Sequence, residues 1–342
     1  MIPALSVADE LRDSAHEVEF VGGDRAEASL VPAAGFKFHK LQAEGLSRTS
    51  KIKALRAACK AVPAVLSAVR LVRHTRPDVV LGGGGYVAGI VGAAAVLTRT
   101  PLVLTEADSH LGISNRALAR FAKKVCLGFP IEGRGQGKFL VTGRPVPIGA
   151  TDRSAARRRF GISSDAQCVL VTGGSLGASS INKAAVEGFA NSGFEVLHLA
   201  GERDLPSLTS PRDTYHLEGY VEGFGEAVAA CDLAVARAGG SVFELAAQGC
   251  PAILIPYPHA AGDHQTGNAR WMEAAGAAVV MADGDLSAES LGDAVDSLLK
   301  DPARLEKMAA ASSSLARPDA AREVAMVVID SGRSASTNPG AS

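Results

Sequence analysis

The chain has 342 residues, which the usual domain size divides into two domains, and its 47% hydrophobic content is enough for substantial cores. Its 35 basic and 36 acidic side chains leave a net charge of −1, so the excess of Lys and Arg that tracks a phosphate backbone is missing. Aromatic residues are only 5%, too few for base-stacking platforms, and no nucleic acid partner is expected.

In chain order, residues 1–13 read as a helix through apolar Leu5, Val7, Ala8 and Leu11, with no strand ahead of it. A doubly wound domain normally opens with a strand, a Gly-rich turn and a helix, and its first strand lies near the middle of the sheet. A chain that starts at the helix is expected to leave neighbouring strands with unpaired backbone groups, as if the first βα half-unit were cut off. Apolar runs at 17–21, 36–41, 78–81, 101–105, 124–127 and 139–142 predict strands, with helices between them, the longest over about 51–74. A Gly- and Pro-rich linker follows at 143–151.

The second half restarts with a strand at 168–172, a Gly-rich turn and a helix from about Ala178. Strands then fall near Val196, His216, Leu233, Ala252 and Ala278, separated by helices near Glu222, Ser241, Asp263 and Ser287. This alternation predicts an α/β fold of two doubly wound domains, 1–146 and 147–330, facing one cleft. Residues 331–342 are small and polar, and a disordered tail is expected there. The five cysteines, Cys59, Cys126, Cys168, Cys231 and Cys250, show no C-x-x-C spacing and read as buried free thiols of a reducing compartment. No run approaches the roughly 20 apolar residues of a membrane span, and the N-terminus lacks a signal-peptide pattern, so a cytoplasmic protein is expected.

Three segments carry the chemistry. In 79-VVLGGGGYVAGIVGAAAVL-97 a strand meets four glycines and then a helix, a place where backbone N–H groups and a helix end suit a diphosphate, unless the glycines only make a tight turn. In 169-VLVTGGSLGASSIN-182 the pattern repeats with Gly173, Gly174, Ser175 and Gly177. No acidic residue ends the next strand, where Gly201 follows Ala200, which favours a single nucleotide over a dinucleotide. The third segment, 233-LAVARAGGSVFELAAQGCPAILIPYPHAAGDHQTGNARWMEAAGAAVV-280, puts Gly239, Gly240 and Ser241 between strand and helix, suited to a leaving diphosphate. Glu244, one turn into that helix, reads as a ribose ligand or as a charge favouring the helix N-terminus. Pro256 and Pro258 stiffen a loop that presents His259, Asp263, His264, Gln265 and Asn268, which read as sugar-binding groups; a metal site at His259, Asp263 and His264 is the alternative.

The combination of RAGGSVFELAA, PYPHAAGDHQTGNA, GGSLGA and DVVLGGGGYVAG resembles the MurG family, the UDP-N-acetylglucosamine:lipid I N-acetylglucosaminyltransferases of peptidoglycan synthesis, over about residues 1–330. The resemblance implies a GT-B fold of two Rossmann-like domains, with the donor held by the second and the last helix, about 318–329, crossing back to the first. It implies that Arg144, Ser175, Gly239, Gly240 and Ser241 serve the donor's phosphates, that Glu244 holds the ribose, and that Asp263, His264, Gln265 and Asn268 read the sugar. Gly82, Gly83, Gly84, Gly85 and Tyr86 would face the acceptor's diphosphate, with Asp108 and Asn115 as further acceptor contacts.

Three departures stand out. The family's first Gly-rich loop ends in Gly-His-Val before a Pro, and here Met1-Ile2-Pro3-Ala4 begins at the Val, so the loop and its His are absent. A valine codon that doubles as a bacterial start codon would produce such a beginning. In the linker, Pro147 replaces the family's Arg and Arg144 supplies the charge instead; Asp108 stands where Asn is frequent.

The implied reaction is inverting, with no metal cofactor, and Glu106 is either the base or a strand-end carboxylate that fixes a loop. The stretch 51–76 mixes Lys51, Lys53, Arg56 and Lys60 with Ile52, Leu55, Val62, Val65 and Leu66. It reads as a crossover helix, and as a basic face for anionic lipid on the inner leaflet of the plasma membrane. The competing readings are a UDP-GlcNAc 2-epimerase of the same architecture, a non-catalytic nucleotide-sugar-binding remnant and, weakest of all, an NAD oxidoreductase.

Overall fold

A computed structural model describes residues 1–41, 51–147, 152–174 and 177–336, with side chains at 51–61 and 334–336 outside the description. The chain forms two compact units, one of residues 1–146 with 317–342 and the other of 147–316.

The first unit opens with α1 (Ile2–Asp13), whose Val7, Ala8 and Leu11 are buried at helical spacing. β1 (Glu19–Gly22), α2 (Glu27–Ala33) and β2 (Lys37–Lys40) follow, and β1 and β2 pair in parallel as a two-stranded sheet. Then come α3 (Lys51–Thr75), β3 (Val80–Gly82), α4 (Gly85–Thr98), β4 (Leu102–Glu106), α5 (Ile113–Leu118), β5 (Lys124–Leu127) and β6 (Phe139–Val141). Strands β3 to β6 make a second parallel sheet in sequence order.

Among the described residues β1 pairs only with β2, and β3 only with β4. Shared helices cover both sheets. α4 packs on β1 and on β3, while α1 contributes Val7 and Leu11 to the cluster with Val103 and Cys126 and Ala8 to the cluster with Val31 and Phe36. The Ala-rich α4 lies close on α5, where a Cβ on Gly92 would stand 2.5 Å from the Leu118 side chain.

The second unit begins at α6 (Arg153–Phe160), capped by the Asp152 carboxylate on the Ser154 N–H at 2.8 Å. It continues with β7 (Cys168–Thr172), α7 (Ser179–Gly188), β8 (Glu195–Leu199), β9 (Tyr215–Glu218), α8 (Phe224–Ala230), β10 (Leu233–Ala236) and α9 (Val242–Ala247). β11 (Ala252–Leu254), α10 (His264–Ala274), β12 (Ala278–Val280), α11 (Ala288–Leu299) and α12 (Pro302–Ser314) complete it. Its six strands are all parallel in the order β12-β11-β10-β7-β8-β9, so the direction of winding reverses between β7 and β10. Both faces are covered. Val169, Val171, Val196 and Ile253 pack on Ile181 of α7 and on Leu291 and Val295 of α11, and the alternate residues Leu170, Leu197 and Leu254 are also fully buried. Each such side chain contributes about 1.5–3 kcal/mol of transfer free energy.

The last helix, α13 (Ala320–Ser336), returns to the first unit, burying Val324, Ala325 and Val328 against Val7, Leu11, Val103 and Cys126. The expected disordered tail from residue 331 is corrected here. The helix runs to Ser336, and the Lys123 ammonium donates to the Ser331 carbonyl at 3.0 Å, satisfying a group in the last turns. Residues 337–342 lie outside the description.

Candidate active site

In the first unit the candidate residues gather at the carboxyl ends of β3 and β4. Gly84 and Gly85 both have φ near +80°, a left-handed turn that swings the chain from β3 into α4 and that a side chain would strain. The Ser114 hydroxyl donates to the Gly85 carbonyl at 2.8 Å, and the Asn115 amide nitrogen lies 3.5 Å from where a Gly84 Cβ would be. The glycine run, Ser114 and Asn115 thus form one patch. Tyr86 packs half-buried beside Val87 on the cluster of Ala64, Ala68 and Val69.

Two of the expected site residues bond within the protein. Glu106 is 7% exposed, and its carboxylate accepts from the N–H groups of Ala107 (3.0 Å), Asp108 (3.3 Å) and Gly112 (2.8 Å) and from the Asn115 amide (2.9 Å). Four donors fill the acceptor sites of a carboxylate, so Glu106 shapes the loop over 107–112, the second of the two roles expected of it. Asn115, 2% exposed, gives its amide hydrogens to Thr105 O and Glu106 and is a loop fastener too. Asp108 stays half-exposed on the loop that Glu106 holds. Arg144 follows β6, half-buried; burial and, after it, the Arg144 charge push the Met1 amino group down, and Glu27 opposes them.

In the second unit the glycine-rich turns end the two strands that flank the reversal of winding, Gly173 and Gly174 after β7 and Gly239 and Gly240 after β10. Gly177 is required by contact: its φ is +78°, and a Cβ there would lie 2.2 Å from the Ala200 carbonyl oxygen. Ser175 lies outside the described residues. Ser241 is the N-cap of α9, and Glu244 sits half-buried in its first turn.

Behind the turn after β7 stands a buried polar frame. The Asp204 carboxylate accepts from Ser179 Oγ and Asn182 Nδ2, both at 3.0 Å, and Arg203 beside it holds that carboxyl below the ordinary range. Asn182 Oδ1 meets His198 Nε2 at 3.0 Å, and His198 Nδ1 meets the Tyr215 hydroxyl at 2.7 Å. Burial pushes the imidazole down to about 4 and the phenol above its usual range.

The loop after β11 behaves differently from expectation at one residue. Asn268 is fully buried and donates from Nδ2 to the Ala238 carbonyl at 3.0 Å, so it anchors the turn at 238–241. Gln265 remains half-exposed, and its Oε1 accepts from the Tyr257 N–H at 2.9 Å, which turns the amide N–H groups outward. Asp263 is exposed and accepts from Thr266 Oγ1 at 2.7 Å, while His264 Nδ1 meets Ala261 O at 2.9 Å and His259 lies edge-on to Tyr257. His259, Asp263 and His264 therefore do not converge on one point. Arg237 and Asp283, unread in the sequence, are at the centre of this region; the signal for Arg237 is a cation at the end of a strand whose other residues are all buried apolar groups.

Glycine-rich turns at a winding reversal, with a carboxylate and amide groups beside them, joined to a second parallel α/β unit with its own glycine run, define a two-domain nucleotide-sugar glycosyltransferase. The chain belongs to glycosyltransferase family 28 and, within it, to the MurG family: residues 1–127 match the family 28 N-terminal domain and residues 168–324 its C-terminal domain. It is 32% identical to the UDP-N-acetylglucosamine--N-acetylmuramyl-(pentapeptide) pyrophosphoryl-undecaprenol N-acetylglucosamine transferase of Halothermothrix orenii, over 97% of the chain and 95% of that protein. The enzyme of the same name from Alkalilimnicola ehrlichii is 38% identical over 97% of the chain and 96% of its own length. Among solved structures, Acinetobacter baumannii MurG superposes with a TM-score of 0.78 at 26% identity, covering 96% of this chain and 95% of that one.

Proposed function

We propose that this chain moves N-acetylglucosamine from UDP-GlcNAc to lipid I, giving lipid II. The observation that supports it most is the pairing of the turns after β7 and β10 at the winding reversal, with Glu244 and Gln265 beside them. Backbone N–H groups and helix ends there suit a diphosphate that gains charge as it leaves. The acceptor hydroxyl attacks the anomeric carbon from the face opposite UDP. The new C–O bond forms as the bond to the diphosphate oxygen breaks, the configuration inverts, and the hydroxyl proton is released to solvent. Glu244 takes ribose hydroxyls, and Gln265 donates its amide N–H groups to the sugar. No step calls for a metal ion, and transfer is expected to persist in excess chelator.

The acceptor is a lipid, and the proposed place of work is the cytoplasmic face of the plasma membrane. No helix among the described residues is long and apolar enough to cross a membrane. On α3, Val62 and Leu66 are 56% and 51% exposed and share a stripe with exposed Arg70 and Arg73. Such a stripe suits anionic lipid, although the basic side chains at 51–61 lie outside the description.

The test is transfer of labelled GlcNAc from UDP-GlcNAc to a lipid I analogue by the 342-residue chain. Turnover to a β-linked product supports the reading. UDP binding without turnover would leave a nucleotide-sugar-binding protein, and UDP-ManNAc formed from UDP-GlcNAc alone would make it an epimerase. Vesicle sedimentation tests the stripe: Val62→Glu with Leu66→Glu should cut binding to phosphatidylglycerol vesicles about tenfold or more, with solution transfer unchanged.

A further inference from the structure

Two consecutive serines open α7, just past the glycine-rich turn, and each is tied to its own aspartate and arginine. Ser179 Oγ donates to Asp204, which Arg203 Nε grips at 2.7 Å. Ser180 Oγ donates to Asp283 Oδ1 at 2.9 Å, and Arg237 Nη1 pairs with that same oxygen at 2.6 Å. The second arm reaches further. Arg237 also donates from Nη1 to the carbonyls of Ile255 (3.1 Å) and Pro256 (3.3 Å) and from Nη2 to Ser180 Oγ (2.8 Å), and its guanidinium faces the Tyr257 ring at 5.5 Å.

One planar cation thereby joins four segments: the end of β10, the start of α7, the loop at 255–257 and the loop carrying Asp283. Three of these border the turns assigned to the donor. The side chain is 10% exposed and saturated by protein groups, so it is not placed to be a ligand itself. Its reach runs through Tyr257, whose N–H fixes Gln265 Oε1 and so decides which end of that amide faces outward. A lysine could keep the charge but not the fork, because an ammonium cannot bond the 255–256 carbonyls, a hydroxyl and a carboxylate from one fixed plane.

We propose that Arg237, with Asp283 and Ser180, is a positioning residue for the nucleotide-sugar donor, setting the loop at 255–257 and the first turn of α7 in register with each other. The proposal rests on the donor-site reading above.

The experiment uses the full chain. UDP affinity is measured by calorimetry, and KM for UDP-GlcNAc and for a lipid I analogue are measured separately, for wild type, Arg237→Lys, Asp283→Asn and the double variant. The expectation is a rise of about tenfold or more in the UDP Kd and the donor KM for Arg237→Lys, with acceptor KM within about twofold. Asp283→Asn, which leaves the carbonyl bonds in place, should show a smaller rise in the same two quantities. The double variant should cost less than the product of the singles, because one ion pair is lost once. If Arg237→Lys does not fold, Asp283→Asn alone decides the matter by the same donor-over-acceptor split. Folded variants that bind UDP like wild type, or that lose donor and acceptor affinity alike, overturn the proposal. A wild-type chain that binds no UDP would instead overturn the donor-site reading.

Discussion

Glu106 shows how a residue's type and place can leave two roles open, base or loop fastener, of which its hydrogen bonds display the second. A carboxylate at a strand end beside a glycine-rich turn invites the role of base, yet three backbone N–H groups and the Asn115 amide occupy it. Substitution by Gln puts an NH2 where two of those donors point, at a cost of roughly 1–3 kcal/mol in the loop. Glu106→Gln should therefore lower the melting temperature and raise the acceptor KM, while the acidic limb of the kcat profile stays where it is. Loss of a general base would instead cut kcat by about 10²–10⁴ and remove that limb. Asn268 makes the same point: it lies among residues that read as sugar ligands, but the first turns of α10 carry it under the turn at 238–241. Sequence spacing gives a residue's neighbours along the helix, not which of them the next loop covers.

At the scale of elements, α7 is held from below by the frame of Asn182, His198 and Tyr215. His198 has its pKa pushed from 6.5 to about 4 by burial. The unfolded chain takes up a proton below about 6.5 that the folded chain refuses until about 4, so this contribution is complete above 6.5 and is lost as pH falls towards 4. The loss amounts to roughly 3 kcal/mol. Chemical denaturation of wild type from pH 7 to pH 4 should show that slope, and His198→Gln should flatten it. An unchanged slope in a folded variant would mean that other groups govern acid stability. Most strands were readable to within a residue or two, because most are short runs of apolar and β-branched residues. The helices α6 and α12 were not singled out, since α6 is Arg-rich and α12 is rich in Ala and Ser, and neither carries a strong apolar stripe.

At the scale of the molecule, the first unit is completed by α13, a segment far along the chain. Cys126 lies in its cluster and has its thiol pushed up to about 12 by burial, as has Cys250 in the second unit. A chain ended after Ala316 should expose Cys126 and restore its reactivity, so that alkylation at pH 8 quickens there and not at Cys250. Equal protection of both thiols would mean that α13 is dispensable to the first unit. Cys126, Cys168, Cys231 and Cys250 are free and buried, in keeping with the spacing of the cysteines, and Cys59 lies outside the described side chains.

The sequence by itself determined the class of fold, the glycine-rich turns and the family. Alternation of apolar runs, and glycines where the backbone must turn or touch, are local properties that survive without coordinates. Tertiary structure alone decided which polar residues serve the frame and which are left for a substrate. Glu106, Asn115 and Asn268 were taken by backbone groups, and Arg237 found Asp283, 46 positions along, by the docking of loops that no local pattern encodes. The reason is that a buried polar group must find its partner in space, whether in the next loop, as for Glu106, or far along the chain, as for Asn268 and Arg237, and local pattern does not say which partner that will be.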